Sequence, residues 1–128
     1  MSSTLLFDFP DRLREFCQLV TACQMAISCP DPDRRLVADQ IQCLEKIIQE
    51  YLLALPVDAI PPRHQSLWLS IKTELQRTLR LLMTEFSFWQ MARSGDRQQH
   101  YQNRLHHHCQ QLAEFAQVME QWFVPVES

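Results

Sequence analysis

The sequence contains a single glycine, Gly95. That near-absence argues against glycine-rich phosphate loops and against a hairpin-rich β fold, whose tight turns need residues that accept positive φ. It has five cysteines, Cys17, Cys23, Cys29, Cys43 and Cys109, but no CxxC pair. Zinc-ribbon and thioredoxin readings therefore fail. An odd set of cysteines without an export signal fits reduced thiols in a cytoplasm. No apolar run reaches the ~18 residues that a membrane span needs. The opening "MSSTLLFDFPDR" has no basic region ahead of its short apolar stretch, so no signal peptide is expected. A strong charge imbalance is missing too. Lysine and arginine total 12 against 15 acids, a net charge of −3 that does not suggest a polyanion binder.

What the sequence does contain is helical periodicity. Its 128 residues suit one domain, and 46% of them are hydrophobic, enough to build a core. From about Pro10 to Ser28, the apolar residues Leu13, Phe16, Val20, Cys23 and Ile27 are spaced 3, 4, 3, 4, which is one stripe on a helix. Pro10 suits a first helical turn, where its missing N–H costs little. "CPDPD" interrupts the pattern. A second helix is expected with Asp31 as N-cap, Pro32 in its first turn and Asp33 at its positive end. Its stripe is Val37, Ile41, Leu44, Ile48, Tyr51 and Leu55, and the proline-rich "LPVDAIPPRH" ends it.

The third segment runs from about His64 to Arg93. Trp68, Ile71, Leu75, Leu79, Leu82, Phe86 and Trp89 form its main stripe, and Leu81, Phe88 and Ala92 form a second face. A helix apolar on two faces is either central in a bundle or shared with a partner. In "SGD", Gly95 is expected to take a left-handed cap conformation and Asp96 to cap the fourth helix. That fourth segment, about Arg97 to Phe123, carries Tyr101, Leu105, His108, Leu112, Phe115, Met119 and Trp122 in an unbroken heptad seam. The expected fold is all-α: one domain built as a four-helix, mostly antiparallel bundle with a long central third helix.

The conspicuous cluster is "HHHC", His106 to Cys109. Consecutive helical residues point about 100° apart, so the three histidines cannot converge on one ion. His108 falls on the core seam, where a histidine beside a carboxylate is a candidate pH-sensitive group. Only His106 and Cys109 have the i, i+3 spacing of a helical ligand pair, two of the four ligands that structural zinc takes. A metal- or redox-responsive sensor using that pair is one alternative function. No nucleophile-and-base pattern marks an enzyme, and no cofactor is expected. Glu85, on the flank of the third helix, is expected to close a salt bridge.

Residues 72–108 carry Lys72, Arg77, Arg80, Arg93, Arg97 and Arg104 against three acids, a mildly basic corner. It suits docking of an acidic protein partner; a weak nucleic-acid-binding regulator is a further alternative. Leu81 and Phe88, off the main stripe, are the apolar candidates for the same surface, and Arg77 stands one turn before Arg80.

The stretch "SIKTELQRTLRLLMTEFSFWQMARSGDRQQHYQNRL", residues 70–105, resembles PatD, the cyanobacterial heterocyst-frequency control family. The resemblance is carried by Leu79-Arg80-Leu81-Leu82, by Phe88, Gln90 and Ala92-Arg93, and by Gln98, Gln99 and Arg104. It breaks at Met83, Thr84 and Glu85, where a glycine and an aspartate are expected. It implies a small cytoplasmic helical protein without enzymatic activity. It also implies a link to heterocyst frequency and binding to the cell-division protein FtsZ, whose assembly such proteins influence. Position by position it points to Arg80, Phe88, Gln90, Arg93 and Arg104. A homodimer through the two-faced helix would crosslink filaments by bivalency.

Overall fold

The computed structural model describes residues 2–122, with side chains described from Pro10 onward. Helix α1 spans Ser2–Ser28, α2 Arg34–Ile47, α3 Gln65–Met91 and α4 Gly95–Gln121. No strand occurs among the described residues. The architecture is the expected all-α four-helix bundle. Helices α1, α3 and α4 are each 27 residues long, about 40 Å at the α-helical rise.

Cross-helix contacts fix the directions. Along α1 and α4, Cys17 meets Glu120, Cys23 meets Cys109, and the carbonyls of Ile27 and Cys29 meet Gln102, so the two helices run antiparallel. Along α3 and α4, Trp68 meets Trp122 edge-on at 6.4 Å, Glu85 meets Arg104, and Phe88 meets Tyr101, again antiparallel. Arg34 of α2 donates to the Gln90 carbonyl of α3 at 3.1 Å. Farther along the chain, Gln49 borders a groove with Gln76 and Arg80 at the middle of α3. The predicted stripes are the buried ones: all five positions on α1 and all seven on α3 are core. On α4, Leu105, His108, Leu112 and Met119 are buried, while Tyr101, Phe115 and Trp122 are half-buried against the core.

Local chemistry moves several expected boundaries. The first helix begins at Ser2, so Pro10 lies inside it. A proline's φ is compatible with a helix; inside one, its ring removes an N–H donor and crowds the carbonyl four residues back, a local cost across which α1 continues. The N-cap of α2 is Asp33, not Asp31: its carboxylate accepts from the N–H groups of Arg35 and Leu36 at 3.1 and 3.2 Å. Pro32 therefore stays in the connection, and Asp31, preceding a proline, is held off the helical region. After Ile47 the chain widens into a π-helical turn, Ile48–Leu52, closed by Leu53 N–H donating to the Ile48 carbonyl at 2.8 Å. That extra residue rotates the stripe, which is why Ile47 and Ile48, and then Leu52 and Leu55, are all buried. Two single turns of 3₁₀ helix, Val57–Ala59 and Pro62–His64, lead into α3.

At the other hinge, α3 ends on Ala92 in an extended conformation, φ −69° and ψ 128°. Ala92 is buried, so it does not extend an outward face. Gly95 has no positive φ; it is the first residue of α4, capped by the Ser94 hydroxyl, which accepts from Arg97 N–H at 3.2 Å. Asp96 lies inside the first turn and complements the helix dipole there. A Cβ added at Gly95 would meet nothing within 4 Å. Gly95→Ala is therefore expected to raise unfolding stability by about 0.5–1 kcal/mol, through lower entropy of the unfolded chain, readable as a shift in the urea midpoint. The predicted end of the fourth helix at Phe123 lies outside the described residues.

Candidate functional site

Apart from Arg104, which is on α4, the residues singled out by the sequence lie along α3 and just past its end, on two flanks of its exposed side. Arg77 is exposed and its guanidinium lies 3.8 Å from Glu74, a loose contact one turn away. Such an exposed pair contributes little to stability and leaves Arg77 available to another carboxylate. Leu81 is half-buried, while Phe88 keeps 44% of its surface exposed. The Phe88 ring packs at 5.7 Å against Tyr101 of α4, which in turn meets His100 edge-on at 5.1 Å. Phe88 and Tyr101 thus make an aromatic step on the α4 flank, with Leu81 two turns below.

Arg80 lies on the other flank. It is exposed and, with Gln49, Gln76, Leu79 and Met83, lines an open groove of about 340 Å³ between α3 and the π-helical turn. Gln90 and Arg93 are exposed at the C-terminal end of α3, where the Gln90 carbonyl is held by Arg34. Arg80 and Phe88 are eight residues apart, about 12 Å along the helix. They border the same side without touching the same point.

Periodicity alone misses three further exposed apolar residues of α3. Leu69 is 53% exposed, Met83 37% and Met91 69%. With Arg80 they share the outward side of α3 by helical phase. Their signal is present in the sequence as apolar residues off the main stripe. Tyr101 belongs to the core seam by spacing, yet its half-exposed ring supports Phe88.

Arg104 is engaged elsewhere. Its Nε donates to Glu85 at 2.6 Å, and the His108 ring nitrogen Nε2 lies 3.3 Å from the same carboxylate oxygen. Glu85 does close the expected salt bridge. His108 finds the carboxylate neighbour that the sequence could not name, although neither of its ring nitrogens makes an aligned hydrogen bond. Burial pushes the Glu85 carboxyl up, but the Arg104 hydrogen bond and the adjacent His108 outweigh it and hold the group below its usual range. A depressed carboxylate pKa stabilises the fold above the unfolded-state value and loses that contribution as pH falls through the folded value. The stability difference between the natural protein and Glu85→Gln is therefore expected to be largest near neutrality. It should shrink once pH drops below about 4.5, measured as urea midpoints across pH. An unchanged difference down to strong acid would show that the ion pair contributes nothing to the folded state.

The alternative pair separates in its contacts. Cys109 is fully buried and donates to Cys23 across the α1–α4 seam, whereas half-buried His106 borders a groove with Ser28, Gln99 and Asn103. Among the described residues no group of three His, Cys, Asp or Glu side chains is placed to hold a metal ion. No helix among the described residues is long and apolar enough to cross a membrane. No family model, curated protein or solved structure matches the chain.

Proposed function

We propose that this chain is a non-enzymatic protein-binding module whose outward side of α3 receives a partner. The observation that carries the reading is the exposure of Leu69, Met83, Phe88 and Met91 on one helix, bordered by the exposed arginines Arg77, Arg80 and Arg93. Single exposed apolar residues are ordinary, but several on one helix side with charges at the rim have the composition of an interface. The arginines suit an acidic partner, whose approach they would steer.

The resemblance of residues 70–105 to PatD supplies the partner and the setting: FtsZ, in the cytoplasm, with filament assembly as the process altered and heterocyst frequency as the outcome. Arg80, Phe88, Gln90 and Arg93 belong to both the resemblance and the exposed side, which supports placing the contact there. Arg104 serves the fold through Glu85 in this reading, and reaches a partner only with the carboxylate it holds. Co-sedimentation with assembled FtsZ tests the proposal. The expected result is saturable pelleting of the protein with filaments, weakened by added salt because of the arginine rim. Retention of all the protein in the supernatant at every FtsZ concentration would remove FtsZ as the partner.

A further inference from the structure

The α1–α4 seam holds two thiols in contact in the middle of the bundle. Cys23 and Cys109 are both fully buried, and their sulfurs stand 3.8 Å apart although 86 residues separate them in sequence. Contacts on either side hold the two helices in register around this pair. Toward one end, Gln102 donates to the carbonyls of Ile27 and Cys29. Toward the other, the Cys17 thiol donates to the Glu120 carboxylate at 3.0 Å. Burial, with that hydrogen bond, pushes Cys17 up to about 12, so it stays a protonated donor. Neither helix can slide without breaking one of these contacts, and the two sulfurs remain opposed.

The geometry points to Cys23 and Cys109 as an oxidisable dithiol, a covalent modification site that takes a small peroxide and yields one disulfide between α1 and α4. In the first step one sulfur gives an electron pair to a peroxide oxygen, the O–O bond breaks, and a sulfenic acid and one water form. In the second step the other sulfur attacks the sulfenic sulfur, the S–OH bond breaks, and its hydroxyl leaves with the thiol proton as a second water. Two thiols are oxidised and one hydrogen peroxide is reduced to two waters. Closing the contact to a bond of about 2 Å needs side-chain rotation and a small approach of two helices already packed together. The hydrogen bond that Cys109 donates lowers Cys23, against the effect of burial, and raises Cys109, so Cys23 is the sulfur that attacks first. What slows the reaction is the burial of both thiols. Peroxide, close to water in size, must reach the seam during its fluctuations. This inference is independent of the docking proposal and replaces His106 with Cys23 as the partner of Cys109.

Exposed Cys29 and Cys43 provide internal controls in the same molecule. The test is to treat the intact protein with hydrogen peroxide until Cys29 and Cys43 no longer alkylate. The remaining thiols are then blocked in acid denaturant, and the protein is digested without reductant for mass spectrometry. The expected product is a peptide pair joined through Cys23 and Cys109, recovered from monomer and lost on adding reductant. The proposal is overturned if Cys23 and Cys109 both remain alkylatable at that dose. It is equally overturned if they are converted to sulfinic or sulfonic acids, or paired with other cysteines.

Discussion

Replacing Trp89 with alanine is expected to destabilise the protein by about 3–5 kcal/mol, the range for removing a large aromatic from a packed core. Trp89 is 2% exposed near the C-terminal end of α3, with Phe86 at 5.8 Å on one side. The Arg34 guanidinium lies over its ring at 5.1 Å while donating to the adjacent Gln90 carbonyl. Truncation leaves a void and also removes the aromatic platform that positions Arg34, the residue tying the start of α2 to the end of α3. Domains of this size have total stabilities of about 5–15 kcal/mol, so the variant should be partly unfolded or shifted far down in urea midpoint. Arg34→Ala should reproduce only a minor part of that loss, because the void is the larger contribution. Similar midpoints for the natural protein and Trp89→Ala would mean that α2 and α3 are not held together through this corner.

The second large effect concerns binding. Phe88→Ala combined with Arg80→Glu is expected to weaken partner binding by about 100-fold or more while leaving the urea midpoint nearly unchanged. Removing an aromatic that becomes buried in an interface commonly costs about 2 kcal/mol or more. The charge reversal adds repulsion against an acidic partner. The two positions are far enough apart along the helix for the losses to add. The fold should tolerate both: Arg80 is exposed, and the half-exposed Phe88 has Tyr101 as its described aromatic contact. The single variants discriminate between the flanks. Phe88→Ala should be the more harmful of the two, since burying its ring supplies apolar area, whereas a rim charge acts mainly on the association rate. A loss with Arg80→Glu alone would move the contact to the groove beside Gln49 and Met83.

The four helices are legible because the 3, 4 spacing of Leu13 to Ile27, Val37 to Leu44, Trp68 to Trp89 and Leu105 to Met119 is a direct consequence of 3.6 residues per turn. The same regularity conceals the π-helical turn. One inserted residue changes the phase of the stripe, and a run such as Ile47-Ile48 fits either phase. The cap of α2 is ambiguous in sequence because Asp31 and Asp33 both adjoin Pro32, and only the backbone decides which carboxylate reaches two free N–H groups. Glycine's usual habit at helix ends is to close them, yet here Gly95 opens one.

The candidate site is legible to a lesser degree. Arg77, Arg80 and Phe88 are separable from the core by phase alone, and they are exposed. Gln90 and Arg93 are exposed too, but Gln90 adjoins the Leu79 edge of the stripe by phase. Arg93 has the phase of Leu75 and escapes the core only because α3 ends at Met91. The pairing of Arg104 with Glu85 depends on how α3 and α4 are registered against each other, a long-range property that helical spacing does not encode. The same holds for the meeting of Cys23 with Cys109.

The central claim is that the outward side of α3 is where another protein sits, and the methionine methyl groups read it directly. Met83 and Met91 lie on that side, Met25 is exposed on α1, and Met119 is buried on α4. In a methyl NMR titration with FtsZ, resonances of Met83 and Met91 are expected to shift or broaden, while Met25 and Met119 stay in place. Movement of Met25 with Met83 and Met91 unchanged, or no movement of any of them at saturating FtsZ, would contradict the account.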